Sequence, residues 1–174
     1  ILKPIGKGKL SKRDGDQLGF PVFPLAYKNE ETRGISRGYK EDGYFADGFI
    51  NMLALLGWNP GTEQEIFSLE KLIQSFDLKR VSKSGAKFNP DKTKWFNQQY
   101  MQQKSNSELA LLFTTILNNK KIFRDQIYVE KVISIIKKRA VFVSDFWELS
   151  NYFFETPSEF DEKAVSKNWK EETA

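Results

Sequence analysis

The pattern of apolar and polar positions changes near Phe88. Before it, the first 43 residues are rich in glycine, proline and charge, which predicts loops with short strands, the clearest candidate being 20–27. After it, apolar residues recur three and four positions apart, which predicts one helix after another. The sequence therefore predicts a mainly α fold, in which a loop-rich, mixed α/β part precedes an all-helical part.

Two short helices are predicted before this change. Apolar residues from Phe45 to Leu56 share one helical face, and Gly57 stands where a C-terminal cap belongs. After a turn at 58–61, Ser68 predicts the start of a second helix, which ends near Phe76.

Longer helices are predicted in the second part. Asn89 before Pro90 is a start signal, because asparagine caps a helix and proline fits its first turn. Ser105 and Glu108 have the spacing of a capping box. Three apolar stripes then predict a shared core: Leu109, Leu112, Phe113, Ile116 and Leu117; Tyr128, Val132, Ile135 and Ile136; Phe146, Leu149 and Phe153.

Composition narrows the class of protein. The chain has 174 residues, 40% hydrophobic and 29% charged, which suits one compact domain or two small ones. No apolar run approaches the roughly 20 residues of a membrane span, so we expect no membrane partner. Without cysteine or histidine, disulfides, thiolate metal sites and the commonest general base are excluded, and we predict no metal site.

Charge is distributed unevenly along the chain, whose formal net charge is +4. Residues 1–13 carry five basic side chains and no acid, and residues 119–139 carry seven basic and two acidic side chains. The sign reverses over 145–172, with eight acids against three lysines. Basic segments are what a polyanion partner needs. A solvated helix face explains the same pattern, and on charge alone it is the simpler explanation.

The glycine-rich segment 6–15 is the strongest candidate for chemistry. It holds Lys9 and Lys12 three positions apart on a flexible backbone, so two ammonium groups can converge on one phosphate. Such a loop can stabilise charge that develops on a phosphate chain during reaction. The residues alone also describe a basic surface loop, which is the commoner meaning of so short a pattern.

Lys9-Leu10-Ser11-Lys12-Arg13 resembles the KMSKS signature of class I aminoacyl-tRNA synthetases, in the form typical of glutamate enzymes. Four further blocks follow in the order found in bacterial glutamate–tRNA ligases: 43–45 with 51–58, 65–70, 76–84, and 88–92 with 94–97 and Tyr100. Because ordered blocks are far more specific than a single motif, the resemblance is strong over residues 7–101 and diffuse beyond.

The resemblance implies roles for the signature residues. Lys12 matches the second lysine of KMSKS and is expected to contact the pyrophosphate leaving group while glutamyl-adenylate forms, assisted by Lys9. Ser11 and Arg13 are expected to shape the loop or add polar contacts to ATP. The resemblance thus implies catalytic Lys9 and Lys12, and ATP with Mg²⁺ as the cofactor of the complete enzyme. No cofactor is expected on this chain by itself.

The resemblance also implies a domain layout. Residues 1–15 are expected to be the signature loop and the end of a catalytic region, 16–88 a stem-contact domain, and 89–174 an anticodon-binding domain built as an α-helix cage. The stretch 16–42 departs from the family pattern as an insertion. The family's HIGH signature needs a histidine, so we expect it in a missing N-terminal domain and expect this chain alone to be inactive.

Four basic residues near the expected junction of the two domains are candidate contacts to tRNA phosphates: Lys79, Arg80, Lys83 and Lys87. Simple exposure explains them equally well. Three more follow a predicted helix end: Lys120, Lys121 and Arg124. For these, stabilisation of the helix dipole is a simpler explanation than phosphate binding. The tryptophans Trp58, Trp95 and Trp147 are expected in the core, not as stacking platforms for bases.

The resemblance implies a monomeric, cytoplasmic enzyme that binds tRNA-Glu, with glutamate and ATP bound through the missing N-terminal domain. A stand-alone tRNA-binding module remains an alternative. The glutamine-specific relative is disfavoured, because that family continues with β-barrels, whereas residues 105–154 predict helices. The same predicted helices disfavour a paralogue that lacks the anticodon domain. A generic basic helical scaffold leaves the ordered blocks unexplained.

Overall fold

Helices dominate the computed structural model, which describes residues 1–28, 34–156 and 162–168, and the mainly α fold class is confirmed. The helices are α1 (Lys12–Leu18), α2 (Ala46–Leu55), α3 (Leu69–Ser75), α4 (Pro90–Gln103), α5 (Asn106–Asn119), α6 (Gln126–Ile136), α7 (Asp145–Ser150) and α8 (Glu162–Asn168). Short 3₁₀ turns lie at Leu78–Arg80, Lys137–Arg139 and Asn151–Phe153. None of the helices in these ranges is long and apolar enough to cross a membrane.

The strand predicted over 20–27 is shorter and displaced in the structure. Strand β1 (Tyr27–Lys28) pairs antiparallel with β2 (Ile35–Ser36). Before β1, Phe23 makes a single bridge, to Gly38. Pro21 and Pro24 flank Phe23 and have no N–H to donate, so a continuous ladder cannot form there.

Local start signals for three helices are confirmed. The Ser68 hydroxyl accepts from the backbone N–H of Lys71 at the start of α3. The Asn89 side chain accepts from two N–H groups in the first turn of α4. Ser105 and Glu108 form both hydrogen bonds of the capping box that begins α5.

The prediction that Gly57 caps α2 is wrong. Helix α2 ends one residue earlier, and Leu56 occupies the cap position with ordinary right-handed backbone angles. The carbonyl of Gly57 instead accepts from Ser82 N at 2.7 Å, and Trp58 pairs with Val81 in an antiparallel bridge. The chain therefore leaves α2 into a tertiary pairing, which no local signal at Gly57 reveals.

Two main apolar clusters hold the described chain together. The helical cluster is formed by α5, α6 and α7 with their flanks: Met101, Leu109, Ala110, Phe113, Leu117, Val129, Val132, Ile133, Ile136, Ala140, Phe146 and Phe154. The mixed cluster lies against α2 and α4: Tyr39, Met52, Phe88, Phe96 and Tyr100. A small neighbouring cluster contains Trp58, Phe67 and Leu72.

Helix α4 serves both clusters. Its residues Phe96 and Tyr100 belong to the mixed cluster, and Met101, one position further, belongs to the helical cluster. Trp58 is buried, as predicted, whereas Trp95 and Trp147 are half-buried and pack against the edges of the clusters. One helix therefore fixes the two parts of the fold against each other.

Two predicted segments reach beyond the described residues. The insertion predicted at 16–42 includes residues 29–33, which lie outside the described ranges. The acidic stretch 145–172 includes 157–161 and 169–172, which also lie outside them.

Candidate functional site

The first ten residues fold back on themselves. Leu10 N donates to the carbonyl of Ile1 at 2.9 Å, and Lys3 N donates to the carbonyl of Gly8 at 3.1 Å. At the turn, Gly6 has φ 79°, a left-handed conformation that glycine adopts without strain. The resulting hairpin of residues 1–10 leads directly into Ser11 and helix α1, and residues 1–15 together are called the signature loop below.

The signature loop is tied to the segment that precedes α4. Leu2 N donates to the carbonyl of Ala86 at 2.8 Å, and the carbonyl of Leu2 accepts from Phe88 N at 3.1 Å. This parallel pairing sets Lys87 beside Leu2. Gly85 makes room for the contact, because a Cβ there would lie 3.0 Å from the Leu2 side chain. The loop is thus fixed to residues 86–88, directly before α4, the helix that contributes to both clusters.

Ser11 and Asp14 form a capping box that starts α1 inside the signature. The Asp14 carboxylate accepts from Ser11 N at 2.7 Å and from Ser11 Oγ at 2.6 Å. In return, Asp14 N donates to Ser11 Oγ at 3.4 Å. The position of Lys12 as the first residue of α1 is therefore set by the residues on either side of it.

Asp14 also neutralises one of the loop lysines. Lys3 Nζ lies 2.7 Å from Asp14 Oδ1, and the Asp14 side chain is only 12% exposed. Hydrogen bonds from Lys3 and then from Ser11 lower the pKa of the Asp14 carboxyl to about 2, so it stays ionised at neutral pH. Sequence reasoning missed the roles of Lys3 and Asp14, although Ser11 and Asp14 have the Ser-x-x-Asp spacing of a capping signal.

The predicted phosphate-binding residues are differently placed around this cap. Lys9 and Arg13 are exposed and make no ion pair with any carboxylate among the described residues. The hydroxyl of Ser11 is engaged by Asp14 and shapes the loop. The backbone of Lys12 begins α1, and its side chain lies outside the described part of the structure.

An open groove runs beside the signature loop. It has a volume of about 520 Å³ and is lined mainly by apolar residues of the loop, α1 and the start of α4: Pro4, Ile5, Leu18, Phe20, Phe88 and Pro90, with Lys87 at its wall. Within the described ranges, no three carboxylates converge as a metal site. The groove is therefore mainly apolar, and Lys87 and Asp91 are the charged residues of its lining.

The structure separates the four basic residues predicted near the junction. Lys79 and Arg80 share a 3₁₀ turn, and the exposed Lys83 follows three residues later. Lys87 lies instead beside the signature loop. The set is therefore divided between the 3₁₀ turn with Lys83 after it and the pairing with Leu2.

Arg80 has a structural contact of its own. Its guanidinium donates to the carbonyl of Pro60 and lies over Gly61, where a Cβ would come within 2.6 Å of it. Arg80 therefore holds the turn after α2, whereas Lys79 and Lys83 keep their charges at the surface.

Packing accounts for two of the three basic residues after α5. Lys120 Nζ lies 4.3 Å from the centre of the Trp147 ring, a cation–π contact. Arg124 donates to the carbonyl of Phe154 at 3.3 Å. Lys121, with φ 61°, is exposed.

Comparison with known proteins divides the chain into two matched regions. Residues 5–95 match the family described as tRNA synthetases class I (E and Q), catalytic domain. Residues 96–174 match the family described as anticodon binding domain.

Curated relatives with high identity are glutamate–tRNA ligases. The protein from Flavobacterium johnsoniae is 58% identical over 99% of this chain, and that from Christiangramia forsetii is 56% identical over 100% of it. The crystal structure of a glutamate tRNA ligase from Elizabethkingia meningosepticum in complex with its amino acid has TM-score 0.92 and 48% identity over 99% of this chain. The chain spans 34% of the length of each of these relatives.

Proposed function

The chain belongs to the class I tRNA synthetases of the glutamate and glutamine group, which confirms the resemblance, and on this premise we propose that it forms part of a glutamate–tRNA ligase. In this proposal it supplies the signature loop that handles ATP phosphates and much of the surface that docks tRNA-Glu. The complete enzyme would join glutamate to tRNA-Glu in two ATP-driven steps.

The observation that carries the proposal is the construction of the signature loop. The loop is anchored to the segment before α4, and its capping box sets Lys12 at the start of α1. Lys3 is neutralised by Asp14, while Lys9 and Arg13 remain unpaired among the described residues. The arrangement supports the proposal, because it leaves Lys9 and Arg13 available to an anionic ligand on an anchored loop.

We assign the phosphate chemistry to the signature residues. Lys12 contacts the pyrophosphate leaving group and Lys9 assists, because ammonium groups stabilise charge that grows on phosphate oxygens. Arg13 adds a polar contact to ATP, and Ser11 fixes the backbone through Asp14. Mg²⁺ enters with the ATP phosphates, and glutamate binds through the part of the enzyme that precedes this chain.

We assign tRNA docking to the remaining two parts. Residues 16–88 form the stem-contact domain and residues 89–174 form the first part of the anticodon-binding domain. Lys79, Lys83 and Lys87 are the candidate phosphate contacts of the stem-contact domain, since all three are exposed. The complete enzyme acts as a monomer in the cytoplasm.

Binding of this chain to RNA tests the docking part of the proposal. Fluorescence anisotropy with labelled tRNA-Glu and an unrelated tRNA, at two salt concentrations, should show preference for tRNA-Glu and weaker binding at high salt. Lys79→Ala/Lys83→Ala should weaken binding, whereas Arg80 is left intact because it holds the turn at Pro60. The matched control Lys71→Ala/Lys131→Ala removes the same charge from exposed positions on α3 and α6.

Two results would count against the docking assignment. The first is no binding to either tRNA at low salt by the folded chain. The second is an equal loss of binding in the Lys79/Lys83 variant and the Lys71/Lys131 control. That result would mean that Lys79 and Lys83 contribute only through the net charge of the surface.

A further inference from the structure

The structure separates the basic residues of the segment 119–139 into engaged and unengaged side chains. Lys120 and Arg124 are used in packing, as described above. At the far end of the segment, the 3₁₀ turn after α6 presents three consecutive basic residues, of which Lys137 points inward while Lys138 and Arg139 are exposed. The backbone carbonyls of this turn accept hydrogen bonds from side chains of another helix, α4.

Three side-chain amides of α4 bind the carbonyls of this turn. Gln102 donates to the carbonyl of Lys137 at 2.8 Å, and Gln98 donates to the carbonyls of Ala140 at 3.3 Å and Lys138 at 3.5 Å. Asn97 donates to the next carbonyl, of Val141, at 2.7 Å. We call these contacts the amide clasp. They hold the backbone of the turn against α4 without using charge.

Lys137 adds a hydrogen bond in the reverse direction, from the turn to the end of α4. Its ammonium donates to the carbonyl of Lys104 at the end of α4, with an Nζ–O distance of 2.5 Å. Desolvation by burial lowers the pKa of Lys137, which fits a side chain turned into the junction. Lys137 is therefore a structural residue, and it is not available to a ligand.

Lys138 and Arg139 have no comparable structural task. Cations at a helix C-terminus ordinarily stabilise unpaired carbonyls, but here the amide clasp already bonds the carbonyls of Lys137, Lys138 and Ala140. Neither residue makes an ion pair with a carboxylate among the described residues. The nearby Asp145 carboxylate accepts from Val141 N and Phe142 N. Two adjacent cations thus stay uncompensated on a fixed backbone.

We propose that Lys138 and Arg139, presented by the amide clasp, bind the phosphate backbone of the RNA that this chain docks. The proposal rests on the proposed function, since it concerns the same RNA. Arginine can bind a phosphate through two parallel N–H groups and lysine acts as a point charge, so the pair suits neighbouring phosphates and not base edges.

The position of the turn gives this contact a purpose. Helix α4 contributes to both apolar clusters, and the amide clasp projects from it at the junction between them. A phosphate contact here fixes the RNA along the length of the protein without reading its sequence.

The test compares tRNA binding by the wild-type chain and Lys138→Gln/Arg139→Gln across a salt series. The loss of two phosphate contacts should weaken binding about tenfold at about 50 mM salt, with the deficit nearly gone at about 200 mM. The slope of log K against log salt should fall by about 1 to 2. Lys71→Gln/Lys131→Gln, with the same change in net charge, should keep most of the wild-type affinity and slope.

A second variant tests the role of the clasp. Gln98→Ala/Gln102→Ala keeps both cations but frees the turn, so binding should weaken severalfold with little change in the salt slope. Circular dichroism of each variant confirms that the helices are retained.

The outcomes separate this proposal from the proposed function. If the wild-type chain binds tRNA-Glu and Lys138→Gln/Arg139→Gln matches the Lys71/Lys131 control, the turn is not a phosphate contact, although RNA docking stands. Wild-type affinity in the clasp variant overturns presentation by the clasp. No binding by the wild-type chain contradicts both proposals.

Discussion

At the scale of single residues, Asp14 determines the conformation of the signature. One carboxylate accepts from the backbone and hydroxyl of Ser11 and from the ammonium of Lys3. It therefore joins the first part of the signature loop to the start of α1. Asparagine cannot replace it fully, because a neutral amide loses the charge-assisted contact to Lys3.

We predict that Asp14→Asn destabilises the chain at neutral pH and that the difference becomes smaller in acid. The folded-state pKa of about 2 lies below the ordinary value of 3.8, so the carboxylate contributes stability above about pH 4. That contribution is lost as pH falls through the folded-state pKa. Urea unfolding followed by circular dichroism at neutral pH and near pH 2.5 measures it, with Glu63→Gln as the exposed control.

The same stability difference between wild type and Asp14→Asn at both pH values would show that the charge of Asp14 is not what stabilises the loop. The control should show little difference at either pH, since surface substitutions usually change stability by less than about 0.5 kcal/mol.

At the scale of secondary-structure elements, local signals in the sequence were sufficient for helix starts. Ser68, Asn89 and Ser105 each cap the helix that was predicted after them, because the hydrogen bonds of a cap lie within four residues. Gly57 and the strand 20–27 were predicted wrongly. Their outcome depends on pairing with Ser82 and with Gly38, which are distant in sequence.

The amide clasp shows that local sequence signals also fail to predict the tertiary contacts of polar residues. Asn97 is only 1% exposed: its Oδ1 accepts from Phe45 N at 2.8 Å and its Nδ2 donates to the carbonyl of Val141. An asparagine on a helix with glutamine neighbours reads as surface, and its partners lie 52 and 44 residues away. Only the tertiary arrangement reveals that it joins α2, α4 and the turn after α6.

We predict that Asn97→Ala destabilises the chain by about 1–3 kcal/mol, because one partly buried N–H and one partly buried carbonyl lose their partner. Chemical denaturation followed by circular dichroism measures the change. The exposed Gln103→Ala on the same helix is the control and should stay within about 0.5 kcal/mol of wild type. A free energy of unfolding for Asn97→Ala as close to wild type as the control would mean that the bridge contributes little.

At the scale of the whole molecule, α4 connects three parts: the signature loop is bonded to the segment just before it, and its own residues belong to both the mixed and the helical cluster. Leu2 pairs with the segment just before this helix, and the amide clasp projects from the helix itself. The order of the motifs and the mainly α class could be predicted from the sequence, because both depend on residues that are close together along the chain. The position of Lys87 beside Leu2 could not, because it results from a pairing between residues that are distant in sequence.

The central claim is that this chain supplies the signature loop and the docking surface of a glutamate–tRNA ligase. The most direct measurement exchanges it for the matching third of the Flavobacterium johnsoniae enzyme, which is 58% identical, and follows attachment of labelled glutamate to tRNA-Glu. We predict an active chimera. Lys12→Ala should lose about a hundredfold or more in rate with unchanged tRNA affinity, and Lys71→Ala should remain active. A folded chimera that binds tRNA-Glu but transfers no glutamate, or a Lys12→Ala chimera as fast as its parent, would contradict the account.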